Sequence, residues 1–444
     1  MAPNIKVLQK DSLRLLGSPI LDESFGPFID ETLKNFKFVS DRIIQLNSHM
    51  AFVIIRFYLF APKFMYSVRS SPFWKHPNLT SKLDDSIQNL LCELLNISMD
   101  ARTWAQASLP IRFGGLGIRQ ITNVALPAFL ASTFKTSVLT RKILDKAGID
   151  SPILYQSDAI EAWKGLTLTS ELPASPSSQR LWDEPLCRLA RDNLLHTSTS
   201  SANRARLLAV AEWESGLWLQ SLPSVKLGTF LDNPAFRLAI SLRLGTPCNV
   251  PHRCPCGEMV DALGHHGLSC SRSAGRIPRH SNLNDIIRRA LASASVPAVL
   301  EPNGLVRSDG KRPDGMTLVP WKMGRPLVWD ATCVDTLAPS HLPRTSSEVG
   351  AAAVSAESHK RRKYAGLSNA YVFEPFAVET LGPWGPGAHR LYRELAKRLT
   401  ECSGDQRAGV FLGQRISLAI QRGNTASLLG TLPLGSDLGH IFYL

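Results

Sequence analysis

Apolar positions along the chain follow a helical period in the first part and gather into short strand-like runs in the last. Residues 1–150 read as mainly helical. The segment DDSIQNLLCELLNIS (84–98) places Ile87, Leu90, Leu91, Leu94 and Leu95 on one helical face, and Asp84, Asp85 and Ser86 offer capping oxygens at its start. In TWAQASLPIRFGGLGIR (103–119), Pro110 and the pair Gly114 and Gly115 break the pattern into a loop. Residues 165–185 are rich in Ser, Pro and Thr and read as a linker. An amphipathic helix is predicted over 201–222, anchored by Leu207, Leu208, Val210, Ala211, Leu217 and Trp218. A shorter one over 236–244 stops at Gly245 and Pro247. No internal repeat of fixed period is present.

The pattern changes after Cys254. Strand-like runs are predicted around 298–301, 315–321, 326–334 and 370–378. LNDIIRRALASA and HRLYRELAKRLTEC, with leucines and isoleucines at helical spacing, predict helices beside them. Strands mixed with helices imply one α/β domain. Its most informative piece is RPDGMTLVPWKMGRPLVWDATCVD (312–335), two strands joined by a tight Lys-Met-Gly-Arg turn. Each strand carries one acid, Asp314 on the first and Asp330 on the second.

Composition narrows the class. The 444 residues are 44% hydrophobic and 20% charged, enough for several buried cores. A net charge of +13 favours an anionic partner, nucleic acid being the commonest. The most apolar run (50–66) contains Arg56, Pro62 and Lys63, so no membrane span is expected, and the opening MAPNIKVLQKDS lacks the apolar core of a signal peptide. Three of the eight cysteines lie between Cys254 and Cys270 and the rest are scattered, which fits thiols in a reducing compartment better than a secreted disulfide scaffold.

Four constellations carry chemistry. CPCGEMVDALGHHGLSC supplies Cys254, Cys256 and Cys270 with His266 or His265 as a fourth ligand, a donor set for tetrahedral Zn²⁺; the spacing to Cys270 favours His266. Four protein ligands leave no open position, so a structural role is expected. The acids Asp314 and Asp330 are candidates for Mg²⁺ or Mn²⁺, since Asp330 lies in the apolar run LVWDATCV, where an unpaired carboxylate is costly. Glu301 is a candidate third acid. ESHKRRKY (357–364) continues an Ala-rich helix and sets Lys360 and Tyr364 four residues apart; a Lys beside metal-bound acids orients water and neutralises phosphate charge. Between the cysteines and the hairpin, Arg272, Arg276, Arg279, His280, Arg288, Lys311 and Arg312 form a basic stretch suited to phosphate contacts.

The order of these pieces resembles the C-terminal part of non-LTR retrotransposon polyproteins of the restriction-like-endonuclease class. CPCG…GHHGLSC resembles that family's Cys-Cys-His-Cys knuckle, and RPDG…VWDATCVD its PD-(D/E)xK nuclease signature. RHSNLNDIIRRAL looks like its first nuclease helix, HKRRKY its Lys-x-x-x-Tyr element, and YVFEPFAVETLGPWG and LGQRISLAIQRGN its closing segments. Upstream, LRLLGSPI and SLPIRFGGLGIR resemble the region after the reverse-transcriptase palm and the helical thumb and linker.

The resemblance implies a multidomain α and α/β chain. A helical thumb remnant would span 1–150, a linker with helices 151–250, a zinc knuckle 251–275, and a PD-(D/E)xK nuclease-like domain, a mixed sheet flanked by helices, 276–444. It implies a metal-dependent endonuclease that cuts double-stranded DNA in the nucleus by phosphodiester hydrolysis, with element RNA as a further partner. Asp314, Asp330 and Glu301 would hold Mg²⁺, Lys360 would position water, and Tyr364 would support Lys360 or the phosphate. Thr332 stands where these enzymes usually carry their lysine, which places that role on Lys360. No aromatic-x-Asp-Asp element is found, so reverse transcription is not expected. The competing expectation is a catalytically inactive nucleic-acid-binding remnant that keeps the knuckle and the basic surface.

Overall fold

The structure, a computed structural model, describes residues 9–150, 152–273, 275–305, 312–367 and 369–432. The chain divides into two compact units, one of residues 1–110 and 116–196 and one of 111–115 and 197–444.

The first unit opens with a small hairpin, β1 (Arg14–Leu15) and β2 (Ser18–Pro19), and is otherwise helical. Its helices are α1 (Asp22–Ile43), α2 (Ser48–Tyr58), α3 (Phe60–Ser70), α4 (Pro77–Leu95), α5 (Ala101–Ala107), α6 (Ile121–Lys146), α7 (Gln156–Thr167) and α8 (Gln179–His196). Residues Ser48–Ser70 are long and apolar enough to cross a membrane by length and composition, and half of that segment is buried. The helix breaks at Leu59, and its two halves pack on α4 and α6.

Two expectations shift here. The helix expected from Asp84 starts a full two turns earlier, with Pro77 in its first turn, where the missing N–H costs nothing. Asp84 caps a different helix: its carboxylate accepts from Ile121 N at 2.6 Å and Thr122 N at 3.1 Å, at the start of α6. The segment read as a linker is helical at both ends, since α7 runs to Thr167 and α8 begins at Gln179, and only 168–178 connects them. Trp163 and Trp182 hold those two helices together, Trp163 Nε1 donating to Trp182 O at 2.9 Å.

The second unit carries the α/β part. It begins with α9 (Ser201–Val210) and α10 (Asn233–Leu244). The single helix expected over 201–222 is α9 followed by a 3-10 stretch, Glu214–Gln220. Next come a small hairpin, β3 (His252–Arg253) and β4 (Met259–Val260), and a one-turn helix, α11 (His265–Ser269). The remainder runs α12 (Arg276–Ser293), β5 (Ala298–Leu300), β6 (Gly315–Thr317), β7 (Leu327–Val334), α13 (Leu342–Thr345), α14 (Ala351–Lys363), β8 (Val372–Glu379), α15 (Pro386–Ser403) and α16 (Ala408–Leu429). The strands form a mixed sheet of order β5-β6-β7-β8, antiparallel up to β7, with β8 parallel to β7.

The hairpin turn falls at Lys322–Arg325 as its sequence predicts. Met323 and Gly324 both have positive φ (51° and 71°), the conformation of a two-residue turn that matches strand twist. β7 is buried along most of its length because both faces are covered. Leu327, Trp329 and Ala331 join Leu283, Ile287 and Leu291 of α12, Leu391 and Leu395 of α15, and Ile416 and Ile420 of α16 in one core. Alternation along the strand then turns Val328, Asp330 and Thr332 to the opposite face, where α14 packs on β7 and β8.

Candidate functional site

Two neighbouring groups of side chains converge in the second unit. The first is the cysteine-histidine cluster. Cys254 N donates to Glu258 O at 2.9 Å, closing the turn between β3 and β4 that presents Cys254 and Cys256. The one-turn α11 sets His266 and Cys270 four residues apart on one side, with Cys270 N donating to His266 O at 2.9 Å. The ligand atoms of Cys254, Cys256, His266 and Cys270 all lie within 4.8 Å of one another. The Cys254 and Cys270 sulfurs are 3.8 Å apart, and Cys256 Sγ is 3.2 Å from His266 Nε2. The four are close enough to hold a metal ion such as zinc, and three thiols with one imidazole are a donor set zinc accepts. His265 is left out; burial lowers its pKa, against the pull of Asp261 and Asp335.

The second group surrounds the hairpin acids. Asp330 on β7 is 2% exposed and paired with Lys360 of α14. A carboxylate this buried needs a partner, and Lys360 supplies it from α14. Asp314 lies one residue before β6. Its N–H donates to Trp329 O at 3.1 Å, and its Oδ2 accepts from Ala331 N at 2.6 Å, so its carboxylate sits against the backbone immediately after Asp330. Its Oδ1 is 3.1 Å from His280 Nε2 of α12. The hydrogen bond to Asp314 raises the His280 pKa; burial opposes this, the charges of Asp314 and Asp330 add to it, and Lys360 opposes it, so the ring feels all three groups.

Other expected members take different places. Glu301 pairs with Arg312 on the exposed side of the hairpin rather than joining the acids. Among the described residues, the cysteine-histidine cluster is the one group of three or more potential metal-ligating side chains. Tyr364 caps the end of α14. Its hydroxyl donates to Arg312 O at 2.9 Å and accepts from Lys363 Nζ at 2.8 Å, holding the chain two residues ahead of Asp314.

The basic residues also separate. Arg272, Arg276 and His280 border an open groove between the end of the knuckle and β7, together with Thr332 and Cys333. Arg272 Nη1 also donates to Pro255 O of the knuckle at 3.3 Å. Arg279 touches the same groove but is buried, its Nη1 donating to Asn424 Oδ1 at 2.8 Å. Arg288 pairs with Asp285 at 3.0 Å. Lys311 lies outside the described residues.

Sequence reasoning counted His280 among phosphate contacts and missed its bond to Asp314. The partners are 34 residues apart and belong to different elements, so no local pattern links them. No protein-family model matches the chain, and no curated protein shows significant similarity to it.

Proposed function

We propose that the second unit is a metal-dependent DNA endonuclease of the restriction-like type found in non-LTR retrotransposons. The observation that carries this reading is Lys360. PD-(D/E)xK chemistry needs a lysine beside its acids, the usual position holds Thr332, and Lys360 of α14 reaches the second acid, Asp330. Asp314 accepts from the amide of Ala331, the residue after Asp330, and two carboxylates are a common protein share of an otherwise hydrated Mg²⁺. They fit such an ion by donor chemistry, without Glu301. Mg²⁺ bound there would lower the pKa of a water and offset charge on the phosphate.

The chain's own residues supply the remaining parts. Arg272 and Arg276 border the groove and would seat the phosphate backbone beside the acids. Lys360 would orient the attacking water and offset charge on the scissile phosphate. Tyr364 would keep the 312–314 backbone in place through the Arg312 carbonyl. The knuckle, with zinc held by Cys254, Cys256, His266 and Cys270, would fix the start of α12 and with it the groove.

Supercoiled plasmid incubated with the zinc-loaded protein and Mg²⁺ tests the reading. Nicking or linearisation is expected, and Asp314→Asn and Asp330→Asn should each lower it by about 100-fold or more, the scale of losing a core electrostatic contact. Equal activity in these variants would sink the site. One observation favours a second reading, DNA binding without cleavage: Asp314 and Asp330 are already engaged by His280 and Lys360. That reading predicts salt-dependent DNA binding and no divalent-dependent cutting.

A further inference from the structure

We infer that His280 is a positioning residue for Asp314, and not a contact to the DNA backbone. This rests on the endonuclease reading and deepens it. A carboxylate joined to its chain by rotatable bonds must be held if it is to present one fixed edge to a cation. Asp314 is held at both oxygens: Ala331 N donates to Oδ2 at 2.6 Å, and His280 Nε2 meets Oδ1 at 3.1 Å. Each carboxylate oxygen keeps further lone-pair capacity for a ligand.

A fixed amide lies behind the histidine. Trp329 Nε1, which can only donate, bonds to Asn284 Oδ1 at 3.0 Å. That bond fixes the amide so that Asn284 Nδ2 lies against His280, 3.2 Å from Nε2; because Nε2 donates to Asp314, this is a packing contact and not a second hydrogen bond. Asn284 sits one turn after His280 on α12 and is 5% exposed. Trp329 is fully buried and is the residue immediately before Asp330. Trp329 and Asn284 therefore place the His280 ring by contact from the side of β7, and the ring's Nε2–H bonds to Asp314. The bond from Ala331 N ties Asp314 to the strand that carries Asp330. Partners of this kind orient metal ligands, and their loss typically costs 10–100-fold in metal affinity or activity.

The test separates positioning from phosphate contact. Mn²⁺ binding to zinc-loaded protein is followed by electron paramagnetic resonance, and cleavage of a duplex oligonucleotide gives kcat and KM. His280→Ala should weaken Mn²⁺ binding by about tenfold and lower kcat, with KM changed less than about twofold. His280→Gln keeps a donor near the place of Nε2 and should recover most of the loss. Arg276→Ala should do the reverse, raising KM and leaving Mn²⁺ affinity alone. The inference is overturned if His280→Ala raises KM with Mn²⁺ affinity unchanged, or if Gln and Ala behave alike. If wild type binds no Mn²⁺ that Asp314→Asn removes, the endonuclease reading itself fails, and the role of His280 falls with it.

Discussion

Asp314 and Asp330 were legible as a pair because the sequence around them is unusual at the level of single residues. A Pro-Asp-Gly step opens one strand, and an acid interrupts the apolar run of the next. Their partners were not legible to the same degree. Lys360 could be assigned only through family resemblance, and His280 only through the fold, because both bonds join residues on different elements. Glu301 shows the converse: an acid in the right order along the chain, spent on an exposed pair with Arg312. Gly315 makes a sharper claim. A Cβ at this position would run into the Trp329 ring on the facing strand. Gly315→Ala should therefore destabilise the second unit by about 1–3 kcal/mol, the usual cost of overpacking a tight core. Urea denaturation of the two proteins side by side checks this, and unchanged stability would mean that Trp329 can move aside.

At the scale of elements, β5, β7 and β8 lie within about two residues of their sequence signals, whereas β6 stops at Thr317, four residues short of the expected 321, ahead of Pro320 with its missing N–H. α16 was harder to read. It buries Ser417, Gln421, Asn424 and Ser427, and its polar groups bond inside the core, Asn424 Nδ2 to Thr380 O and Ser417 Oγ to Glu214 O. Such a helix has no clean apolar stripe. α4 was misread at its start for a related reason: the polar residue that looked like its own cap serves α6.

That capping bond has a pH consequence. Burial raises the Asp84 pKa from 3.8 to about 6, against the backbone bonds from Thr122 and Ile121 that lower it. The folded state then holds this proton more tightly than the unfolded one. The resulting stability is fully present below pH 3.8 and is lost as pH rises through about 6. At about 1.4 kcal/mol per pKa unit, the difference is on the order of 2–3 kcal/mol. The first unit should be more stable at pH 4.5 than at pH 7.5, and Asp84→Asn should flatten that dependence. A wild-type curve with the opposite slope, unchanged in Asp84→Asn, would contradict the assignment.

At the scale of the whole molecule, the knuckle is built into the second unit. His252 Nε2 lies 3.0 Å from Thr431 Oγ1 just past α16, and Ser273 Oγ donates to Ser427 O at 3.3 Å. Zinc in the cluster would thus stabilise the region from which α12 starts. One zinc per chain is expected by elemental analysis, and Cys270→Ser should lose it together with several degrees of melting temperature. A full zinc complement in Cys270→Ser would exclude the cluster as the binding site. The net charge of +13 and the groove bordered by Arg272 and Arg276 suit a polyanion, but they serve binding and cutting equally.

Cutting depends on the reach of Lys360, and that is where the endonuclease account is most exposed. The direct measurement is plasmid cleavage and DNA binding on the same preparations of wild type and Lys360→Ala, with Mg²⁺ present and circular dichroism confirming the fold. The account predicts that the variant binds DNA within about threefold of wild type, because losing one phosphate-facing charge changes affinity little. It also predicts a fall in cleavage of about 100-fold or more. Cleavage at the wild-type rate in folded Lys360→Ala would contradict it.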